Sequence, residues 1–127
     1  MKRLFVLTLF TLLVGTIIQV TAQEKKIIGD WKYQVSSAPY GYESGTITFS
    51  KDEANLKGAI KFYGGYEVKL QNPSFKNDTL RAGAFVEGEN IKITALYKED
   101  KLEGKVDTSM GVMPISAVKN EAKNSQK

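Results

Sequence analysis

The chain contains no cysteine and no histidine. Without cysteine there is no disulfide and no thiolate metal site. Without histidine there is no imidazole ligand, no haem on histidine and no Ser-His-Asp or Cys-His catalysis. Phosphate-binding loops are missing too: Gly41 and Gly64-Gly65 lack the Walker pattern and a following helix. Asp52-Glu53 and Asn77-Asp78 lack the regular oxygen spacing of a calcium loop. These absences favour binding over catalysis, and the expectation is a protein that is not an enzyme and uses no cofactor and no metal.

The apolar supply is uneven. Lys2 and Arg3 precede an apolar run from Leu4 to about Val14, and Val20-Thr21-Ala22 supplies the small residues that a signal peptidase reads. Residues 1–22 therefore read as a secretory signal cut after Ala22. The alternative is a retained anchor, but Leu4–Val20 is at the short limit for a bilayer span and includes Thr8, Thr11, Thr16 and Gln19. No cysteine follows to carry a lipid. The expectation is a secreted or periplasmic product with no membrane attachment after cleavage. Cleavage removes two bases and no acid, so 18 basic residues become 16 against 14 acidic and the net charge falls from +4 to +2. A charge that small gives nucleic-acid binding no support.

What remains is one domain, residues 23–119, with a polar tail over 120–127. No long helical pattern is present. Period-2 alternation recurs instead, bounded by Gly, Asn and Asp. It predicts eight strands: 28–36, 45–50, 55–63, 66–71, 79–87, 90–98, 101–108 and 113–119. The inward faces carry Trp31, Tyr33, Phe49, Phe62, Tyr66, Leu70 and Tyr97 among others. The eighth strand is apolar on both faces. A sheet with one dry face must cover it, and no amphipathic helix is available to do so. Short connections make a meander, and an eight-stranded meander closes as an all-β, antiparallel, up-and-down barrel. A two-sheet sandwich is the competing arrangement.

Gly29-Asp30-Trp31 opens the first strand. Gly104, Val106, Thr108, Met110, Gly111 and Pro114 fall in a G-x-V-x-T-x-M-G-x-x-P pattern, and Lys119 ends the last strand. Together these resemble the calycin superfamily, in particular small secreted bacterial lipocalin-like domains. The resemblance implies a barrel whose Trp31 plugs the closed end, with Lys119 packed over its ring. It departs from the family in its short length and in having Lys where Arg is usual.

Meander topology puts the connections after strands one, three, five and seven at one mouth. That mouth collects Pro39, Tyr40, Tyr42, Tyr63, Tyr66, Met110, Val112 and Met113, while the other end is charged. Exposed Tyr and Met at a rim suit a pocket or a contact surface. The candidate ligand-binding residues are Tyr33, Tyr40, Tyr42, Tyr63, Tyr66, Tyr97, Met110 and Met113, and the loop 37–44 is a candidate lid. The plain alternative is that these side chains fold over the barrel top and complete the core. The partner expected is a small apolar or amphipathic molecule, or a second protein on the same rim, with the chain itself a monomer. The acidic pair Glu87 and Glu89 reads as solvated turn charge.

Overall fold

The computed structural model describes residues 22–120. The expected signal segment and the polar tail lie outside them, save for Ala22 and Asn120. Eight strands follow in order: β1 (Gly29–Gln34), β2 (Ser44–Asp52), β3 (Asn55–Phe62), β4 (Glu67–Lys76), β5 (Thr79–Val86), β6 (Glu89–Lys98), β7 (Lys101–Thr108) and β8 (Gly111–Lys119). Each pairs antiparallel with the next, and β1 pairs with β8 through Trp31↔Lys119 to Gln34↔Ser116, so the sheet closes into a barrel. The sandwich is excluded, and closure leaves no open sheet edge.

Alternation explains the core. Ile47 and Phe49, Ile60 and Phe62, Leu80, Ala82 and Ala84, and Ile93 and Ala95 all point inward and are buried. The eighth strand resolves the same way: Met113, Ile115 and Ala117 are buried, whereas Val112 and Val118 are exposed. Three hairpin turns place two successive residues at positive φ, with one glycine among the six: Asn77-Asp78, Glu87-Gly88 and Glu99-Asp100. Two successive positive φ values are the geometry of a type I′ turn, whose twist matches the flanking strands.

Two expectations need correction, and one short element is added to the eight strands. The fourth strand does not stop at Gln71. Asn72-Pro73 reads as a turn in sequence but forms a bulge, where the pairing shifts from Gln71↔Gly83 to Ser74↔Arg81. Asn72 takes the left-handed conformation at φ 49°, and proline is tolerated because a bulge frees its position from the ladder. The extra residue resets the alternation, so Leu70 and Phe75, five positions apart, both face inward and are buried. Tyr66 does not face inward; it is half-exposed at the rim. Finally, a short helix is present, α1 (Ala22–Ile27), with Glu24 in its first turn and Lys25 and Lys26 in its last, as the helix dipole favours.

Helix α1 and β1 together close one end. Trp31 is fully buried, and its Nε1 donates to the Ile27 carbonyl at 2.9 Å. The Lys119 ammonium lies 5.7 Å from the Trp31 ring centroid and donates to the Lys26 carbonyl at 2.9 Å. Gly29 sits between them at φ 129°, where an added Cβ would press on the Lys119 side chain. Tyr97 meets both Trp31 and Phe75 edge-on at 6.0 Å, and its hydroxyl donates to Asp100 at 2.9 Å. Ion pairs Lys26–Asp78 and Lys51–Glu24 fasten the helix to the β4–β5 and β2 ends.

Gly104 marks the tightest approach between strands. A Cβ there would lie 1.9 Å from the Thr94 carbonyl oxygen and 2.5 Å from the Ala95 Cα, both backbone atoms of β6. Gly104→Ala is therefore expected to destabilise the barrel by about 1–3 kcal/mol, the usual cost of overpacking. Urea denaturation midpoints for the two proteins measure it.

Candidate functional site

The other end of the barrel is open. A cavity of about 410 Å3 runs from the mouth into the interior. Its floor and walls are apolar: Ile47, Ile60, Ile91, Ile93, Val106 and Ile115 project inward from five strands because each holds an inward position in the alternation. Phe62 and Met113 complete the walls. The volume is within the range of small-molecule sites, which are concave and mostly apolar with a few polar groups.

The segment between β1 and β2 covers part of the mouth. Val35, Ala38, Pro39 and Tyr42 from this segment line the cavity. The segment is held by its own hydrogen bonds: Val35 N–H donates to the Glu43 carbonyl at 2.8 Å, Ala38 N–H to the Val35 carbonyl at 3.0 Å, and Tyr42 N–H to the Pro39 carbonyl at 3.0 Å. The Tyr33 hydroxyl, rising from β1, donates to the Tyr42 carbonyl at 3.0 Å and ties the segment to the wall. The Tyr42 ring meets Phe62 edge-on at 4.8 Å. These contacts make the segment an ordered cover over one side of the mouth.

The polar groups concentrate on the opposite rim. Glu87 and Glu89 flank the β5–β6 turn and line the cavity. The Tyr42 hydroxyl crosses the mouth to donate to Glu87 Oε2. The Ser109 N–H donates to Glu89 Oε2 and ties the β5–β6 turn to the β7–β8 turn. Thr108, also on the rim, donates its hydroxyl to the Gly111 carbonyl at 2.9 Å. Both carboxylate contacts are solvent-exposed, so Glu87 and Glu89 keep the solvated turn charge read from the sequence while also bordering the cavity. Period 2 was the signal available: Glu89 shares its face with Ile91, Ile93 and Ala95.

Of the eight sequence candidates, Tyr33, Tyr42, Met110 and Met113 line the cavity. Tyr40, Tyr63 and Tyr66 stand on the rim outside it, 95%, 86% and 51% exposed. Tyr66 stacks on the Phe62 ring at 5.8 Å, from the outer side. Tyr97 belongs to the closed end, against Trp31 and Phe75. The barrel length separates it from the mouth.

Burial raises the Tyr33 phenol well above its ordinary value, and the Glu43 carboxylate adds to the rise. The hydrogen bond to Glu87 raises the Tyr42 phenol, followed by burial and the Glu87 charge. Burial, followed by the hydrogen bond to Asp100, raises Tyr97. Phenols freed by unfolding ionise near 10. Above that pH the unfolded chain has released protons that the folded chain still holds, so stability falls as pH rises. Stability should thus be insensitive to these groups below about pH 9 and decline above about pH 10. Tyr33→Phe should flatten that decline, which denaturant melts at a series of alkaline pH values would show.

Among the described residues, no group of three or more Asp or Glu side chains is placed to hold a metal ion, and no helix is long and apolar enough to cross a membrane. No protein-family model matches this sequence, and no curated protein matches it either.

Proposed function

We propose that the protein is a lipocalin-like carrier that holds a small apolar or amphipathic molecule in the open end of its barrel, without transforming it. The observation that carries this reading is the 410 Å3 cavity, apolar in its depth and polar only at its rim. A solid barrel would have filled that volume with side chains. The closed-end arrangement of Gly29, Trp31 and Lys119 has the form that the calycin resemblance implies. The N-terminal signal pattern supports a carrier that works outside the cytoplasm, in the periplasm or the medium.

Titration with a fluorescent apolar probe, 1-anilinonaphthalene-8-sulfonate or its uncharged analogue N-phenyl-1-naphthylamine, tests the reading. Saturable binding at one site with a blue-shifted emission supports it. Absence of saturable binding by either probe rejects it. Mass spectrometry of the natively purified protein extends the test to an endogenous ligand.

A second reading draws on the rim. Tyr40, Tyr63, Met110 and Val112 are strongly exposed, and Tyr and Met are enriched at protein contact surfaces. In that case a protein partner would sit across the mouth, and Tyr40→Ser with Tyr63→Ser would weaken its capture while probe binding in the cavity persists.

A further inference from the structure

The cavity has an electrical sense as well as a shape. Its described lining includes two carboxylates, Glu87 and Glu89, and no lysine or arginine. That composition runs against the rest of the chain, in which basic residues outnumber acidic ones.

Hydrogen-bond accounting points the same way. Three side-chain hydroxyls line the cavity, those of Tyr33, Tyr42 and Thr108. All three already donate: to the Tyr42 carbonyl, to Glu87 and to the Gly111 carbonyl. Each hydroxyl has only one proton to give. An anionic ligand entering the cavity therefore finds no uncommitted side-chain donor. Acceptors remain. Glu87 and Glu89 each spend one oxygen on the rim contacts, and a carboxylate offers about four acceptor positions.

We infer that the cavity selects amphipathic amines, with the apolar body among Ile60, Phe62, Ile93 and Val106 and a protonated nitrogen at the rim between Glu87 and Glu89. This rests on the carrier reading above and specifies the ligand class. A fatty acid or other apolar anion would bring its charge against two carboxylates. A cation there forms charge-assisted hydrogen bonds, and the rings of Tyr42 and Phe62 offer it a further attractive surface.

Three probes with one hydrocarbon body test the inference: phenylbutylamine, phenylbutanol and phenylbutyrate, each titrated calorimetrically at neutral pH and low salt. The amine should bind about tenfold more tightly than the carboxylate, from attraction gained and repulsion avoided at a partly exposed rim. The alcohol should fall between. Glu87→Gln and Glu89→Gln should each narrow the ratio of amine to carboxylate affinity, and a thermal melt checks that each variant is folded. Glu53→Gln, in the turn at the closed end, should leave the ratio unchanged. Phenylbutyrate binding as tightly as the amine overturns the inference, as does a ratio unaltered by either rim substitution. If the alcohol binds and charge makes no difference, the carrier reading survives and the amine preference does not. If none of the three binds, the carrier reading falls with it.

Discussion

Trp31→Ala is expected to cost the fold about 3–5 kcal/mol, the range for removing a buried large aromatic side chain. Trp31 is wholly buried and has contacts of four kinds: the hydrogen bond to Ile27, the Lys119 ammonium over its ring, the edge of Tyr97 and the interior beneath it. Removing the indole empties the closed end beside α1, β6 and β8 at once. It also leaves the Ile27 carbonyl without its side-chain donor. For a domain of this size each kcal/mol moves the melting temperature by roughly 4–8 °C, so the loss should be plain in a thermal melt. Binding at the mouth should survive wherever the variant remains folded, because the indole does not line the cavity. An unchanged melting temperature would remove Trp31 from its role as plug.

The second large effect belongs to the cavity itself. Ile91→Trp should abolish probe binding, with affinity falling by at least about tenfold, or about 1.4 kcal/mol. Ile91 is partly buried on β6, faces inward and borders the opening. An indole at this position would occupy the volume a ligand needs. Filling a real void adds contacts instead of forcing atoms apart, so stability should change by less than the about 1–3 kcal/mol usual for enlarging a packed core residue. Probe titration and a urea melt on the same variant separate the two quantities. Retained binding would place the ligand elsewhere than this cavity. Such a variant is also the natural control for the amine series, since it removes the site without touching Glu87 or Glu89.

The strands were legible because alternation is a local property. Seven of the eight begin and end within two residues of where the pattern puts them, and barrel closure follows from a dry face that nothing else could cover. What escaped reading has identifiable causes. Asn72-Pro73 carries the composition of a turn, and only the pairing of β4 with β5 shows that the chain continues as a strand through a bulge. Helix α1 spans six residues, too few to establish a helical period. Its stability comes from tertiary contacts that Ile27, Lys26 and Glu24 make with distant strands. Gly104 shares its strand parity with Leu102 and Val106, and the closeness of a neighbouring backbone is not written in a single strand.

At the mouth, residue type was a weaker guide than position. Tyr63 and Tyr66 were grouped with Tyr42 by chemistry, yet the turn between β3 and β4 carries them past the opening. There, Phe62 N–H bonds to the Tyr66 carbonyl at 2.8 Å and Gly65 N–H to the Phe62 carbonyl at 2.7 Å. Glu89 was set aside by chemistry, yet its place in the alternation brings it to the cavity. Tyr97 faces inward as read, but eight positions along β6 separate it from Glu89 at the rim.

Both ends of the described chain leave the barrel beside Trp31. Helix α1 enters there, Lys119 pairs with Trp31, and Asn120 N–H donates to the Asp30 carbonyl at 2.8 Å. Strands β2 to β8, of eight to ten residues each, hold the mouth roughly 25 Å away. A tether at either terminus therefore leaves the opening facing outward. Fixed by its end to a surface, or strung between two other domains, the barrel would still present its mouth to the surrounding solution.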